Sequence, residues 1–501
     1  MIRTAERNRK PNKKTKQMKK PTIKTLGQLK ASGYTTKSVK DELRNNLMSK
    51  LQKGEQSFEG IIGYDATVLP QLERAILSKH NINLLGLRGQ AKTRLARGMV
   101  QLLDEWIPVV AGSEINDDPL APLSHFAQEV IAEKGDDTPV EWLHREQRFF
   151  EKLATPDVTV ADLIGDVDPI KAANLKLSYA DERVIHYGMI PRANRCIFVI
   201  NELPDLQARI QVALFNILQE GDIQIRGFQI RLSLDIQFVF TANPEDYTNR
   251  GSIVTPLKDR IGSQILTHYP VNRTIARAIT GQEAKIHPDL KAKIHVPELA
   301  RELLEQIGFE ARKSEYIDAK SGISARMSIT AYENLMSTAE LRLLKSGEER
   351  TTIRMNDLIG IIPALTGKVE LVYEGEQEGA ETVAEILIGN AIKSLFDEYF
   401  ITIKKLAKEG EYGVFDELTE WFINHPGFEL MNEAKDSEYQ GAIEKIEPLD
   451  TILEKYQPHT PEADQAFVKE FVLWALVEYK RLSKKSFAEG FELEDNVLGK
   501  F

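Results

Sequence analysis

Residues 83–100 read NLLGLRGQAKTRLARGMV, which is an apolar run, a glycine-bearing turn and a stretch with helical spacing. No other stretch restricts the fold so much. Glycine at 86 and 89, followed by Lys92 and Thr93, approximates the phosphate-loop pattern of G-x-x-x-x-G-K and then Ser or Thr. Ala91 stands where the second glycine of that pattern belongs, so a strict search would miss it. The physical needs are still met. Gly86 and Gly89 let the backbone wrap, and the N–H groups through Gln90 and Ala91, with the helix start, face an anion. Lys92 would reach β/γ oxygens and Thr93 can hold Mg²⁺. Ala91 is tolerated if its backbone is near-helical. The plainer alternative is a glycine-rich strand-to-helix turn without a ligand.

The chain around this loop alternates short apolar runs with helical stretches, the pattern of a parallel sheet flanked by helices. Ile82–Leu85, Ile197–Ile200 and Ile236–Thr241 are the expected strands. The expected organisation is a basic disordered tail (1–24), an N-terminal helical element (25–57), an α/β nucleotide-binding core with inserts (58–268), an all-α lid (269–365) and a C-terminal helical region (366–501). The aromatic stripes of that last region read as core. Before the loop, Ile61-Ile62-Gly63 precedes a helix and offers Ile62 as an apolar seat for an adenine ring.

The strand in CIFVINELPDL (196–206) ends in Asn201-Glu202. A Walker B strand needs an acid for the Mg²⁺ shell and a carboxylate that orients the attacking water. Glu202 meets the second need. Asn201 can accept from a metal-bound water but brings no charge, so a buried strand running into a loop stays open from this stretch alone. The next apolar strand ends in Asn243, placed to sense a γ-phosphate. NRGSIVTPLKDRIG (249–262) then supplies Arg250 and Arg260, either of which suits an arginine acting in trans. Arg326 follows at the start of a helix.

Charge narrows the partners. Residues 1–24 hold ten Lys or Arg against the single acid Glu6, a charge of +9, so the remainder carries −19 of the net −10. An acidic body argues against nucleic acid as a partner, with the basic tail the one segment suited to a polyanion. The one cysteine, Cys196, excludes an intramolecular disulfide and fits a reducing, cytoplasmic setting. It opens an apolar strand and reads as inert. The longest apolar runs are too short to span a bilayer, no secretory signal opens the chain, and the histidines show no zinc-binding spacing.

Together these stretches resemble the AAA+ ATPases, and among them the MoxR proteins and the ATPase (I) subunit of magnesium chelatase. GLRGQAKT resembles the phosphate loops of both. IPRANRCIFVINELPDL is similar to the chelatase stretch that leads into Walker B, ATPDVTVADLIGDVDPI to the segment before the helix-2 insert, LKDRIG to the arginine-finger region and GISARMS to sensor 2 of MoxR. The resemblance covers about residues 58–365. It maps the clade's β-hairpin insert to about 168–195 and a second hairpin to GDIQIRGFQIRL. It implies ATP and Mg²⁺ as cofactors and a ring, expected to be a hexamer. Glu202, Asn243, Arg260 and Arg326 would be catalytic, and Thr93 and Asn201 would face the metal. The implied function is protein remodelling, with a von Willebrand A domain partner in a separate chain because no Asp-x-Ser-x-Ser motif is present. Three departures stand out: Asn201 for the usual Asp, a long insertion over 113–153, and roughly 135 further residues after the lid. The stretch around Arg195 keeps open a chelatase ATPase subunit that drives Mg²⁺ into a porphyrin, which the extra C-terminal region disfavours, and Asn201 keeps open a slow-turnover nucleotide-binding scaffold.

Overall fold

A computed structural model describes residues 19–178, 181–225, 231–244, 253–400, 413–487 and 490–496. Most of the basic tail and Arg250 lie outside them. The chain packs as two compact units. One comprises Met1–Ile61, Ala66–Leu85 and Ala91–Leu266, the other Ile62–Asp65, Gly86–Gln90 and Thr267–Phe501.

The first unit is built on a parallel sheet of β1 (Ile82–Leu85), β2 (Phe149–Leu153), β3 (Cys196–Asn201), β4 (Ile236–Ala242) and β5 (Ser263–Leu266), in the order β5-β1-β4-β3-β2. Every residue of β1 and β4 is buried, as strands covered on both faces require, and this is why they read as mainly apolar runs, with Asn83, Gln237 and Thr241 the buried polar exceptions. From β1 the chain crosses to the far edge at β2, steps back through β3 and β4, and sets β5 on the other side of β1. Ligands of open α/β sheets bind beyond the carboxyl ends of the strands, where the order reverses. Here that edge carries Ala91-Lys92 beyond β1, Asn201-Glu202 at the end of β3 and Asn243 after β4.

The segment 113–153, expected to be an insertion, contains an integral part of the core. Phe149–Leu153 is the edge strand β2, in register with Ile197–Asn201. The adjacent Glu151 and Lys152 break its apolar run and hid it. Val140–His144 pairs with Trp106–Val110. Where a hairpin insert was expected over about 168–195, Ile185–Tyr187 pairs instead with Gly165–Val167, before that range, and a helix at Pro169–Leu175 lies between them; the second expected hairpin pairs Asp222–Gln224 with Arg231–Ser233.

Two buried arginines seat the edge of this sheet. Arg148 makes a two-pronged pair with Glu42 of helix α1 (Val39–Gln52), at 2.7 and 2.9 Å, and also donates to the Arg195 carbonyl. Arg195 donates to the Pro108 carbonyl and meets Asp118 at 3.2 Å, while Asn194 accepts from the Asp235 N–H. The Arg-Ala-Asn-Arg run at 192–195 therefore anchors the start of β3.

The second unit is mainly helical. Helices spanning Glu298–Ala311, Ala325–Ser346, Ala380–Tyr399 and Glu462–Glu478 share one apolar core that runs continuously from Leu303 and Leu335 through Leu358 to Leu387, Phe396 and Phe471. Beyond the expected helices, it holds a three-stranded antiparallel sheet of Phe428–Met431, Gly490–Asp495 and Leu482–Phe487, with Gly490–Asp495 in the centre. The sequence LSKKSF alternates too weakly to announce a strand.

Candidate nucleotide site

The glycines of the loop are required by close approach. A side chain at Gly86 would run into the Thr267 hydroxyl and the Gln90 amide, and one at Gly89 (φ +74°) into the Ser324 hydroxyl. Gln90 is buried and accepts a 2.7 Å bond from Thr267, while Arg88 pairs with Glu370 at 2.7 Å. The Tyr64 hydroxyl lies between the carbonyls of His268 (2.7 Å) and Gln90 (3.0 Å). Burial pushes its pKa up to about 12, so it stays a donor. Ile62 is half-buried one residue before Gly63, which turns at φ +83° against Ile275.

Ala91 corrects an expectation. Its backbone is helical but left-handed, at φ 56° and ψ 20°, a conformation that costs a residue with a Cβ about 1–2 kcal/mol. Helix α2 (Lys92–Gly98) starts directly after it, with Thr93 exposed in the first turn. Lys92 Nζ donates to Asn243 Oδ1 at 2.7 Å, and Asn243 is buried at the tip of β4.

Beside them, the Thr241 hydroxyl ties the end of β3 together. It donates to Asn201 Oδ1 and accepts from the Glu202 N–H, each at 3.1 Å. Glu202 is held in the left-handed region at φ 55° and ψ 49°, the kind of backbone strain that collects at functional sites. Asn201 Nδ2 donates to Glu151 Oε1 at 2.6 Å. Both ends of the Asn201 amide thus have protein partners, although its carbonyl oxygen keeps a second lone pair.

Arg260 ends the helix Thr255–Arg260 and folds back onto its own unit. It donates to Gln219 at 3.0 Å and the Pro256 carbonyl at 2.7 Å, over the Phe215 ring. Arg326 is exposed in the first turn of the helix capped by Ser324, whose hydroxyl also lies against Gly89. Among the described residues no group of three His, Cys, Asp or Glu converges as a metal site. Mg²⁺ shared with phosphates needs only a carboxylate or two and water, and the Thr93 hydroxyl and Glu151 carboxylate are donors of that kind.

Sequence comparison relates part of this chain to known proteins. The family model AAA domain (dynein-related subfamily) matches residues 140–261, from the strand before β2 through β3 and β4 to the end of the Arg260 helix. Over those residues the chain matches an AAA domain, and it is also similar to a magnesium-chelatase subunit. The magnesium-chelatase 38 kDa subunit of Cereibacter sphaeroides is 24% identical over 235 residues, 45% of this chain. The chain spans 63% of that relative's length. Similar solved structures include Thermotoga maritima RuvB, a Holliday junction branch migration motor, at 12% identity, TM-score 0.32 and 92% of either chain. Another is the complex between BchI and BchD of magnesium chelatase, at 18% identity and TM-score 0.32, covering 63% of this chain and 97% of that one.

Within the AAA+ core the structure adds Thr241 and Glu151, which sequence reasoning did not single out. Thr241 reads in the sequence only as part of a strand tip. Glu151 was hidden in the supposed insertion, and only the register of β2 on β3 brings it to Asn201.

Proposed function

We propose that this chain binds ATP with Mg²⁺, hydrolyses it, and uses the cycle to remodel a partner protein in the manner of MoxR proteins. The observation that carries the reading is the Lys92–Asn243 bond of 2.7 Å at the carboxyl edge of the sheet. It joins the phosphate-loop lysine to the polar tip of β4, one strand from Glu202. In this reading Gly86, Gly89, Gln90 and Ala91 wrap the phosphates and Ile62 borders the adenine. Lys92 draws on the β/γ oxygens, and Asn243 reports the γ-phosphate to it. Glu202 orients water and takes its proton. Thr93, Asn201 and Glu151 would lie around the cation, which supplies charge neutralisation at the phosphates.

Arg260 would act on a neighbouring subunit of a ring, expected to be a hexamer, once released from Gln219 and Phe215, and Arg326 would couple the helical lid to the nucleotide. A von Willebrand A domain protein in a separate chain suits the partner role, in a cytoplasmic setting. Among the described residues no helix is long and apolar enough to cross a membrane. A chelatase ATPase subunit is the second reading; the similarity to the Cereibacter relative raises it, and the roughly 135 residues after the lid count against it. Chelation reconstituted with porphyrin-binding and von Willebrand A subunits separates the two.

Steady-state ATPase of the wild type and two variants tests the hydrolase. Lys92→Ala is expected to abolish nucleotide binding. Glu202→Gln is expected to keep it and lose about 10²–10⁴-fold in turnover, the range of a general base. Three equal rates would overturn the reading.

A further inference from the structure

We infer that Glu151 supplies the negative charge that Asn201 lacks, so that the carboxylate facing the cation comes from β2 instead of β3. This rests on the ATP reading above.

The sheet sets the geometry. Glu151 pairs with Val199 and Leu153 with Asn201 in a parallel register. Side chains two residues apart share a sheet face, so Glu151 and Asn201 emerge on one side. Phe240 pairs with Ile200, which makes Thr241 the neighbour of Asn201 on its other flank. Asn201 completes the line, accepting from Thr241 at 3.1 Å and donating to Glu151 at 2.6 Å. Only an amide of that length can do both. Aspartate at 201 would set two carboxylates 2.6 Å apart, where like charges repel strongly. The asparagine therefore belongs with the glutamate: the pair keeps one carboxylate at this edge and moves it one strand across.

Glu151 also faces the helix that carries Thr93. Its Oε2 lies 3.6 Å from Arg97 Nη2, and that guanidinium covers the Phe149 ring at 4.4 Å. Arg97 stands four residues after Thr93, so the two share a helix face about 6 Å apart. The Glu151 side chain is 32% exposed and Arg97 61%. An ion pair that open contributes little and leaves the carboxylate accessible to a hydrated divalent cation.

Titration with a fluorescent ATP analogue, once with Mg²⁺ and once with EDTA, reads the charge directly. Glu151→Gln is expected to weaken Mg²⁺-dependent affinity about tenfold or more and leave the affinity in EDTA unchanged. Asn201→Asp alone should give no gain, because it faces Glu151. The double variant, Asn201→Asp with Glu151→Gln, should return within a few-fold of wild type, a rescue that a merely structural Glu151 would not produce. If Mg²⁺ dependence survives Glu151→Gln, or if Asn201→Asp raises affinity as much in the wild-type background as in the Glu151→Gln background, this assignment fails while the ATP reading stands. If the wild type binds nucleotide in neither buffer, both fail.

Discussion

Ala91 occupies a backbone conformation that glycine reaches freely, and it does so between a buried glutamine and the lysine that meets Asn243. Left-handed geometry costs about 1–2 kcal/mol with a Cβ present, whereas glycine loses about 0.5–1 kcal/mol through the freedom of its unfolded chain. Ala91→Gly should therefore stabilise the protein by about 0.5–1 kcal/mol. The measurement is the shift in thermal midpoint, and a lowered midpoint would mean that the left-handed turn is not under strain. Glu202 sits in the same region of backbone space, held by the Thr241 hydroxyl. At both residues the strain lies beside a side chain given a chemical role.

At the scale of elements, helix α1 is fastened to the sheet by a charge pair out of reach of water. Arg148 and Glu42 side chains are 0% and 2% exposed. Removing one partner of such a pair leaves a buried charge uncompensated and costs about 3–5 kcal/mol. Arg148→Ala should show that loss in urea unfolding. A cost below about 1 kcal/mol, the usual level for an exposed pair, would mean that α1 is seated by apolar contacts alone.

Legibility in the sequence followed burial. The strands β1 and β4, fully buried, and β3, buried up to Ile200, were readable from their apolar runs, and the three polar tips and the loop from their order along the chain. The edge strand β2 was not, because FFEKL exposes alternate residues and resembles a loop. With it went Glu151, whose meaning exists only across strands: nothing local to residue 151 points to residue 201. The handedness of Ala91 was equally out of reach, since right- and left-handed helical turns place the same residue types at the same spacing.

Across the whole molecule, the acidity of the chain reaches its interior. Glu470 is buried in the core of the second unit, where it accepts from the Tyr439 hydroxyl at 2.7 Å and the Met355 N–H at 2.9 Å. Burial drives its carboxyl from 4.5 up to about 7. A folded-state pKa above the unfolded value means that the fold prefers the protonated form. The stability from this group is complete below about pH 4.5 and is lost as pH rises through about 7. Melting midpoints should fall across that window, by about 2–4 °C for each kcal/mol. Glu470→Gln should flatten the slope, and an unchanged slope would assign the pH dependence to other groups.

Cys196 opens β3 fully buried, and burial lifts its thiol to about 12. Thiolate is the reactive form, so the native protein offers no thiol-labelling chemistry of its own. Since Cys196 is the only cysteine in the chain, a single thiol introduced at any exposed position becomes a unique handle for a fluorophore or spin label. The assembly and nucleotide-driven motion proposed above can then be tested in an otherwise unaltered protein, without first stripping out a background.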